Sequence, residues 1–499
     1  MNGNEMKRLA VKECLKSTSK EYRHFDHKIS ENEKKKLLGN GKKSFCNPNF
    51  VKRYRQLPFI KFDMVFNKFG RNDKHEGQLT PKARHISLAS HHESLLLKYY
   101  SVMLGYCYER SIEENGIAEV PLAYRRGFDN IHGAKSVFDF LWQTGNSWII
   151  KGDFHAFFDC LDHRILMKQV KRVLYGDERC KMSDDWYAVI KSITKYRSVS
   201  KGQLVQTPGI NTHGTSYVSN LKEFGKLIKK GKLRLSSVNE KGIPQGTAIS
   251  AILANVYMIG FDEWVNKLVQ RYGGIYKRYS DDFVVVIPQK TCDIARVKQL
   301  KDSIIHRSND QLKLTINPRK TKLLEYSKEN GHVYDLGSRK VKNFDYLGFE
   351  FTGRAVYLRA KTIYKFHYRG KKAVYMIARN IKERDIVRQG KEKAYLKKRS
   401  DPRQIKLTAD RLKITKEDEK LGHGVRYRKK GTQMYLIFEP ISKRNMMAYA
   451  IRSQLVMSQP IEQVVDMYDV DIESKVKKEI SRFQIEFGEI RRKLKNKIP

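Results

Sequence analysis

The amino-acid sequence predicts an α+β fold followed by a mainly helical, very basic C-terminal region. Short apolar runs indicate strands in SWIIKGDFHAFFDCL, GIYKRYSDDFVVVIP and KNFDYLGFEFTG. Apolar residues recur with helical spacing around LMKQVKRVL, ISAILANVYMIGFDEWVNKLVQRY and ARVKQLKDSIIHRSND. Strands and helices therefore alternate through the middle of the chain, which is typical of a mixed architecture.

Changes in composition divide the 499 residues into three predicted parts. Residues 1–83 are polar and lysine-rich, and we expect them to form a basic N-terminal extension. Residues 84–353 hold the strands and helices named above, with an insertion at about 170–240 that includes the turn-rich QTPGINTHGTSY. Residues 354–499 are predicted to be helical and basic, as in RGKKAVYMIARNIKERDIVRQGKEKAYLKKRSDPRQIK, and this composition favours a helical thumb followed by a C-terminal RNA-binding domain.

The charge of the chain indicates a polyanionic partner. Lysine and arginine outnumber aspartate and glutamate by 99 to 54, which gives a net charge of +45. The surplus runs through the whole sequence, and so large an excess repels itself unless an anion neutralises it. Binding to a phosphate backbone releases counterions and fits this distribution.

Neither the cysteines nor the N-terminus indicates an exported protein. The six cysteines are scattered singly without a CxxC pair, so we expect reduced thiols rather than a zinc site or a disulfide framework. The first residues are too charged for a signal peptide, and no apolar run approaches the roughly 20 residues that span a bilayer. The sequence therefore predicts a cytoplasmic protein without a membrane partner.

Two acidic motifs are the candidates for catalysis. Tyr279-Ser280-Asp281-Asp282 lies between apolar runs, and we expect it at the tip of a β-hairpin, because a strand interior would not bury two carboxylates without a cation. Asp153, in GDFHAFFD, follows the apolar WII of another predicted strand. Phosphoryl transfer from a nucleoside triphosphate uses magnesium ions held by carboxylates. Either motif alone is equally compatible with a solvated turn.

Four further segments complete a recognisable order along the chain. They are AYRRG at residues 123–127, GIPQGTAIS at 242–250, LTINPRKTKLLE at 314–325 and YLGF at 346–349. With the two acidic motifs, they resemble the reverse transcriptase family over about residues 84–353. The resemblance implies a right-hand polymerase with fingers and palm, followed by a helical thumb.

The resemblance implies a role for each residue of the acidic motifs. Asp153, Asp281 and Asp282 would bind two Mg²⁺ ions, for which Mn²⁺ can substitute, with help from the backbone carbonyl of Phe154. Phe158 falls where the family has an aromatic residue that blocks a ribose 2′-hydroxyl. Deoxynucleotides are therefore the expected substrates.

The other motifs imply contacts to the nucleotide, the template and the primer. Lys320 matches a lysine near the leaving pyrophosphate, and Arg125 or Arg126 matches the arginine that clamps the incoming triphosphate. Gln245 would contact the nucleotide in the minor groove. The residues expected to contact primer or template are Tyr279, Gly246, Tyr346, Leu347 and Gly348.

Within the family, the stretch AYRRGFDNIHGAKSVFDFLW and the residues before it resemble the bacterial defence-associated and abortive-infection (unknown-group) reverse transcriptases. This resemblance implies synthesis of cDNA on an associated non-coding RNA, acting as template or scaffold, in antiphage defence. It also implies assembly into homo-oligomers. The predicted partners are thus a non-coding RNA, the DNA product and deoxynucleoside triphosphates.

Several alternatives stay open at this point. A retron-type reverse transcriptase and a template-independent or protein-primed DNA polymerase use the same motifs. An RNA-dependent RNA polymerase usually has a small polar residue where this chain has Phe158. An inactive RNA-binding scaffold that retains the fold belongs to a different class.

Overall fold

The computed structural model describes residues 3–18, 21–71, 77–211, 214–317, 321–397, 400–421, 424–441 and 445–495. The chain folds into two compact units. The first unit comprises Met1–Phe128 and Ile149–Lys322, and the second comprises Asp129–Trp148 and Leu323–Pro499. The limits of these units do not coincide with the changes in composition near residues 83 and 353. The domain boundaries predicted at those two positions stay predictions.

The elements of the N-terminal half alternate between helices and strands. In chain order they are α1 (Gly3–Lys16), α2 (Glu31–Leu37), α3 (Pro48–Arg53), β1 (Phe59–Arg71), β2 (Gly77–Leu88), α4 (His91–Glu114), α5 (Asn130–Thr144), β3 (Ser147–Asp153), α6 (Phe157–Cys160), α7 (His163–Tyr175), α8 (Asp184–Thr194), β4 (Ser198–Ser200), α9 (Lys201–Gln206) and α10 (Leu221–Lys229).

The C-terminal half begins with a long helix and a hairpin and ends in helices. In chain order its elements are α11 (Ala248–Gln270), β5 (Ile275–Tyr279), β6 (Asp282–Pro288), a short 3₁₀ helix (Gln289–Thr291), α12 (Ile294–Leu312), β7 (Lys322–Ser327), β8 (His332–Asp335), β9 (Lys340–Val341), β10 (Phe344–Tyr346), β11 (Phe349–Phe351), β12 (Ala355–Leu358), α13 (Ala360–Arg388), α14 (Glu392–Lys397), α15 (Pro402–Leu421), α16 (Gly424–Tyr435), α17 (Met446–Met457), β13 (Asp469–Asp471) and α18 (Glu473–Lys495).

The predicted α+β class is confirmed. The three strand-like runs contain β3, the β5–β6 hairpin and the β10–β11 hairpin, and the three stretches with helical spacing contain α7, α11 and α12. The predicted helical character of the C-terminal region is confirmed by α13 to α18. The segment HISLASHH is divided between two elements, because β2 ends at Leu88 and helix α4 starts at His91. The capping box between Ser90 and Glu93 fixes that start, since each residue's side chain accepts a hydrogen bond from the other's backbone N–H.

The first unit is built around α11 and two sheet elements. The side chains of α11 are mostly buried. It is the single helix in the described parts of the chain that is long and apolar enough to cross a membrane, with 72% of its apolar window buried within the protein. β5 and β6 pair antiparallel, and β6 lies beside β3. β1 and β2 form a long antiparallel hairpin, and β4 adds to β1 in parallel.

The predicted N-terminal extension and the predicted insertion share one hydrophobic core. Phe25 and Ile60 pack there with Val199, Tyr217 and Phe224. The rings of Phe25 and Phe224 lie 4.3 Å apart, centroid to centroid. Both segments are therefore packed parts of the first unit.

The second unit combines short antiparallel sheets with a helical assembly. β7, β8 and β9 form an antiparallel meander, and β10, β11 and β12 form another, to which β13 adds in parallel. Helix α13 packs against α18, where the rings of Phe366 and Phe483 meet edge to face with centroids 5.4 Å apart. Tyr435 of α16 stacks on the same Phe366.

Candidate active site

A cleft of about 620 Å³ in the first unit contains the two acidic motifs. Five segments line it: the second strand of the β1–β2 hairpin, the segment at Tyr124, the end of β3 with the turn after it, the loop before α11 with the first turn of that helix, and the β5–β6 turn. The lining residues are Lys82, Ala83, Arg84, His85, Ile86, Tyr124, Asp153, Phe154, His155, Ala156, Phe157, Phe158, Asp159, Gln245, Gly246, Thr247, Ser250, Ala251, Ser280 and Asp281.

The backbones of the two acidic motifs are directly hydrogen-bonded. Asp153 ends β3, and the N–H of the next residue, Phe154, donates to the carbonyl oxygen of Asp281 at 3.0 Å. The carbonyl of Asp153 accepts from the N–H of Asn317 at 2.8 Å. The Phe154 ring is buried against Phe283 of β6, with centroids 5.6 Å apart. Two motifs 128 positions apart in the sequence thus form one rim of the cleft.

The tight turn predicted for Tyr279-Ser280-Asp281-Asp282 is present. Tyr279 ends β5 and pairs with Asp282, the first residue of β6. Ser280 has a φ of 59°, in the left-handed region that non-glycine residues rarely adopt. Asp281 lines the cleft beside Asp153, whereas Asp282 is outside its lining. The side chains of Asp281 and Asp282 are both partly exposed.

A buried ion pair lies beneath this turn, and sequence reasoning missed it. The guanidinium of Arg278 and the carboxylate of Asp262 are both fully buried, and Arg278 Nη2 donates to Asp262 Oδ2 at 2.6 Å. Arg278 Nε also donates to Asp262 Oδ1 at 2.8 Å. Burial opposes the charge of Arg278, but the charge and hydrogen bonds of Asp262 outweigh burial and raise the pKa of Arg278 above its ordinary value.

The same arginine supports the turn that carries the carboxylates. Its Nη1 donates to the carbonyl of Ser280 at 3.0 Å and to Asn255 Oδ1 at 3.3 Å. Asn255 in turn donates from Nδ2 to the carbonyl of Ala123 at 2.8 Å. Tyr124, the next residue, shares a 3.1 Å hydrogen bond between its hydroxyl and that of Ser280. The network therefore joins α11, the β5–β6 turn and the segment around Ala123.

Neither arginine of the AYRRG segment lies in the lining of the cleft. The side chain of Arg125 is 4% exposed, binds both oxygens of Glu109 and donates to the carbonyls of Ala118 and Pro121. Arg126 is exposed and pairs with Glu13. The lysine and arginine in the lining are Lys82 and Arg84 on β2, and two histidines, His85 and His155, also line the cleft. Lys82 and Arg84 come from the predicted extension and its border, where sequence reasoning placed no site residue.

Phe158 and Gln245 both line the cleft, as predicted for nucleotide contacts. Phe158 is half-buried, and its carbonyl accepts from the N–H of Ile243 at 2.9 Å. Gln245 Nε2 lies 3.3 Å from Asp159 Oδ1, and the Gln245 carbonyl accepts from the N–H of Ser87 on β2 at 2.8 Å. The loop before α11 is thereby tied to two other walls of the cleft.

The close backbone approach expected of the GIPQG loop occurs within the protein itself. Gly242 has a φ of 74°, and a Cβ there would lie 2.6 Å from the carbonyl oxygen of Asp159. Gly246, expected to contact the template, also lines the cleft. Gly242 is thus required by the contact to the strand-β3 motif.

The predicted primer-gripping segment forms a two-residue hairpin in the second unit. Tyr346 ends β10 and is buried, and Leu347 and Gly348 have φ values of 47° and 97°. Asn130 Nδ2 donates to the Leu347 carbonyl at 3.0 Å, and the Arg359 N–H donates to the Gly348 carbonyl at 3.0 Å. Lys320, expected near the pyrophosphate, lies outside the described residues.

The donor set of the cleft suits a hard divalent cation. In the described parts of the chain, no three histidine, cysteine, aspartate or glutamate residues are grouped closely enough to hold a metal by themselves. Mg²⁺ commonly takes one or two carboxylates and completes its shell with water and substrate phosphates. Asp153 and Asp281 in one polar cleft fit that mode of binding.

Comparisons with known proteins agree with this geometry. Residues 117–351 match the family described as reverse transcriptase (RNA-dependent DNA polymerase). The chain is 23% identical to "Protein YkfC" of Escherichia coli (strain K12) over an alignment of 229 residues, which covers 40% of this chain and 48% of that protein. The match thus spans about half the length of this curated relative.

Solved structures with similarity to the chain include two yeast telomerases. Apo telomerase of Candida tropicalis, truncated from its C-terminal domain, is 13% identical, with a TM-score of 0.35 over 59% of this chain and 58% of that chain. Telomerase of Candida albicans, in complex with a fragment of telomeric RNA, is 14% identical, with a TM-score of 0.33 over 83% of this chain and 66% of that chain. The family match identifies a reverse transcriptase domain at residues 117–351, and the mixed order of helices and strands is consistent with the right-hand polymerase α+β fold.

Proposed function

We propose that this chain is an RNA-directed DNA polymerase that joins deoxynucleotides by two-metal nucleotidyl transfer. The observation that supports it most is the composition of the cleft, in which Asp153 and Asp281 face the same space as Lys82 and Arg84. Carboxylates bind metal, and neighbouring cations bind phosphate. A nucleoside triphosphate binds as its magnesium complex, so its site needs carboxylates for the metal and cations for the phosphates.

Each wall of the cleft has a task in this reaction. When bound, divalent ions supply activation of the primer 3′-hydroxyl and neutralisation of the leaving phosphates. Asp153 and Asp281 hold the ions, with Asp282 and the Phe154 carbonyl as further proposed ligands. Lys82 and Arg84 bind the triphosphate through charge-assisted hydrogen bonds. The role of Lys320 beside the pyrophosphate stays a proposal, as does that of Arg125 or Arg126 at the triphosphate.

Phe158 selects the sugar in this proposal. Phe158 and Asp153 both line the cleft, and the role proposed for the Phe158 ring is to exclude a 2′-hydroxyl by its volume. We expect Phe158→Val to raise the incorporation of ribonucleotides relative to deoxynucleotides about 10-fold or more, because a smaller side chain removes the steric penalty. Single-nucleotide extension with matched dNTP and rNTP pairs measures this ratio. Phe158→Tyr keeps the ring and is the control, and an unchanged ratio in Phe158→Val would contradict the assignment.

The template and the biological role are proposed on sequence resemblance and charge. A net charge of +45 supports a permanent nucleic-acid partner, and we propose a non-coding RNA that acts as template or scaffold. Antiphage defence and assembly into homo-oligomers are proposed on the same resemblance, and a cytoplasmic location is proposed on the unpaired cysteines and the charged N-terminal residues. Mg²⁺ is the proposed ion, with Mn²⁺ as a substitute.

The decisive experiment purifies the protein with the RNA that it carries. Mg²⁺ is then supplied with each deoxynucleotide separately and together, and both the bound RNA and any product are sequenced. DNA complementary to one co-purifying RNA is the expected result. A homopolymer or random product would keep the chemistry but overturn templated copying, and no product with any deoxynucleotide would favour the scaffold.

A further inference from the structure

Helix α13 in the second unit carries three exposed tyrosines on one face. Tyr364, Tyr368 and Tyr375 are 44%, 55% and 50% exposed. At 100° per residue, the three positions fall within about 40° of one another around the helix axis. Along the axis, they are separated by about 6 Å and about 10 Å. We call this surface the tyrosine face.

The tyrosine face is strongly basic. From Ala360 to Lys382 the helix has seven lysines and arginines and no aspartate or glutamate. The exposed cations are Lys361, Lys365, Arg369, Lys371 and Lys372. Like charges three or four residues apart destabilise a helix, so this arrangement is favoured when an anion is bound. Phosphate groups along a strand supply such anions at regular intervals.

The opposite side of α13 already provides the packing that holds the helix. Phe366, Val374 and Ile377 are buried, and Phe366 packs against Phe483 and Tyr435. The tyrosine face therefore contributes little to the core of the second unit. Three large, half-exposed rings on one side of a packed helix form an aromatic surface, on which the guanidinium of Arg379 lies over the Tyr375 ring with its Cζ 6.0 Å from the ring centroid.

We infer that the tyrosine face binds single-stranded nucleic acid, with unpaired bases stacked on the tyrosines and phosphates held by the flanking lysines. Every base has a π-face, so stacking on aromatic rings binds single strands with little sequence preference. In a duplex the faces of the bases are covered by their neighbours, and only edges, sugars and phosphates are accessible. Lysines alone would bind the phosphates of single strands and duplexes alike. Tyrosine rings add affinity only for a strand whose bases are unstacked, so their presence favours a single strand.

This inference adds a binding surface to the proposed function and can be tested apart from it. Binding to α13 needs neither metal nor nucleotide, so affinity is measured without Mg²⁺ and dNTPs. Extension of a supplied primer–template with Mg²⁺ is measured separately. Loss of extension with intact single-strand binding would count against the proposed polymerase alone, and the reverse result against the tyrosine face alone.

The test measures fluorescence anisotropy of labelled 20-nucleotide RNA and DNA strands of mixed sequence on the full chain. The variant Tyr364→Ala/Tyr368→Ala/Tyr375→Ala is expected to raise the Kd for single strands about 10-fold or more, since each stacked base contributes about 1–3 kcal/mol. The corresponding triple Tyr→Phe variant keeps the rings and should retain wild-type affinity. Tyr187→Ala removes a tyrosine of similar exposure (49%) from the first unit and is the control for the loss of an exposed tyrosine outside the tyrosine face, so it should leave the Kd unchanged.

Salt dependence separates stacking from charge. The triple Tyr→Ala variant should keep the wild-type slope of log Kd against log salt, because it removes no phosphate contact. Lys361→Gln/Lys371→Gln should reduce that slope by about one per lysine. The strand, RNA or DNA, that loses more affinity in the Tyr→Ala variant is the one bound at this face.

Three results would overturn the inference. One is an unchanged single-strand Kd in the triple Tyr→Ala variant. Another is an equal loss of affinity for a 20-base-pair duplex. The third is a triple Tyr→Phe variant as weak as the alanine variant, which would assign the effect to the hydroxyls. Melting temperatures of all variants confirm that they remain folded.

Discussion

Each unit has a tight hairpin with a left-handed residue at its tip, and the two hairpins are supported in different ways. In the first unit, Ser280 at a φ of 59° is held by a fully buried arginine, Arg278, and by the hydroxyl of Tyr124. In the second unit, Leu347 at a φ of 47° precedes Gly348, and the two carbonyls accept hydrogen bonds from the side-chain amide of Asn130 and from the backbone N–H of Arg359. The comparison teaches that the turn beside the carboxylates is supported by a fully buried charged side chain, whereas the other turn is supported by neutral hydrogen bonds.

The largest expected effect concerns the chemistry that only the first hairpin carries. Asp281→Asn keeps the shape of the side chain but removes a charge that binds metal, and we expect DNA synthesis to fall by about 1000-fold or more, as when a principal source of transition-state stabilisation is lost. Primer extension at saturating dNTP measures this loss. Asp302→Asn, on the exposed side of α12, makes the same change of charge and should leave the rate unaltered.

An intact rate in Asp281→Asn would contradict the proposed metal site. The double variant Asp281→Ala/Asp282→Ala then addresses the scaffold alternative. If it abolishes synthesis and leaves the biological effect, the chain acts as a scaffold in the cell. If both are lost, synthesis is the function.

The next largest effect concerns the anchor of the first hairpin. Arg278→Met leaves the buried carboxylate of Asp262 without its partner, which typically costs about 3–5 kcal/mol of folding stability. Urea unfolding of the full chain measures this cost. Arg110→Met is the control, because Arg110 is more than half exposed and its pair with Glu114 spans 3.8 Å, so its loss should cost less than about 0.5 kcal/mol.

A second substitution tests whether the arginine also positions the turn. In Arg278→Met/Asp262→Leu no buried charge is left unpaired, so stability should recover in part. The Ser280 carbonyl still lacks its donor, so we expect kcat to remain reduced while the KM for dNTP changes little. Full recovery of kcat with stability would assign Arg278 a purely structural role.

The first hairpin was predictable from the sequence, but the supports of both hairpins were not. Tight turns between apolar runs are encoded locally, which is why Ser280 was expected at a hairpin tip, whereas the run that contains Leu347 was predicted as a strand. The pairing of Arg278 with Asp262 joins a strand to a helix, and residue type alone does not reveal which of 99 basic residues is buried. Arg125 illustrates the same limit, since its motif suggested a phosphate contact and the structure surrounds it with Glu109 and carbonyls.

The cleft was likewise predictable only in part. Asp153, Phe158, Gln245 and Asp281 were expected to share a site and do so. Lys82 was not expected there, because it belongs to a segment whose composition resembles that of a solvated extension. Its position depends on the pairing of β2 with β1 and on the contact of Ser87 with Gln245, both set by tertiary structure.

A smaller effect is expected at the second hairpin. Asn130→Ala removes one hydrogen bond to the Leu347 carbonyl and one to the Tyr449 hydroxyl, with donor–acceptor distances of 3.0 and 2.8 Å. We expect a loss of about 1–2 kcal/mol in the free energy of unfolding, because both contacts are partly accessible to water. Urea unfolding of Asn130→Ala and Arg278→Met under the same conditions compares their losses in the free energy of unfolding. A larger loss in Asn130→Ala than in Arg278→Met would reverse our ranking of the two supports.

The smallest effect separates backbone strain from side-chain support at Ser280. Ser280→Gly relieves a left-handed conformation that costs about 1–2 kcal/mol, but it loses the Tyr124 hydroxyl contact and increases the entropy of the unfolded chain by up to about 1 kcal/mol. These contributions nearly cancel, so stability should change by less than about 1 kcal/mol. Ser280→Ala loses the same hydroxyl without relieving the backbone, and it should be the less stable variant by about 1 kcal/mol. Equal stability of the two variants would mean that the relief of strain only offsets the added entropy of the unfolded chain, so the left-handed backbone would store no more than about 1 kcal/mol of strain.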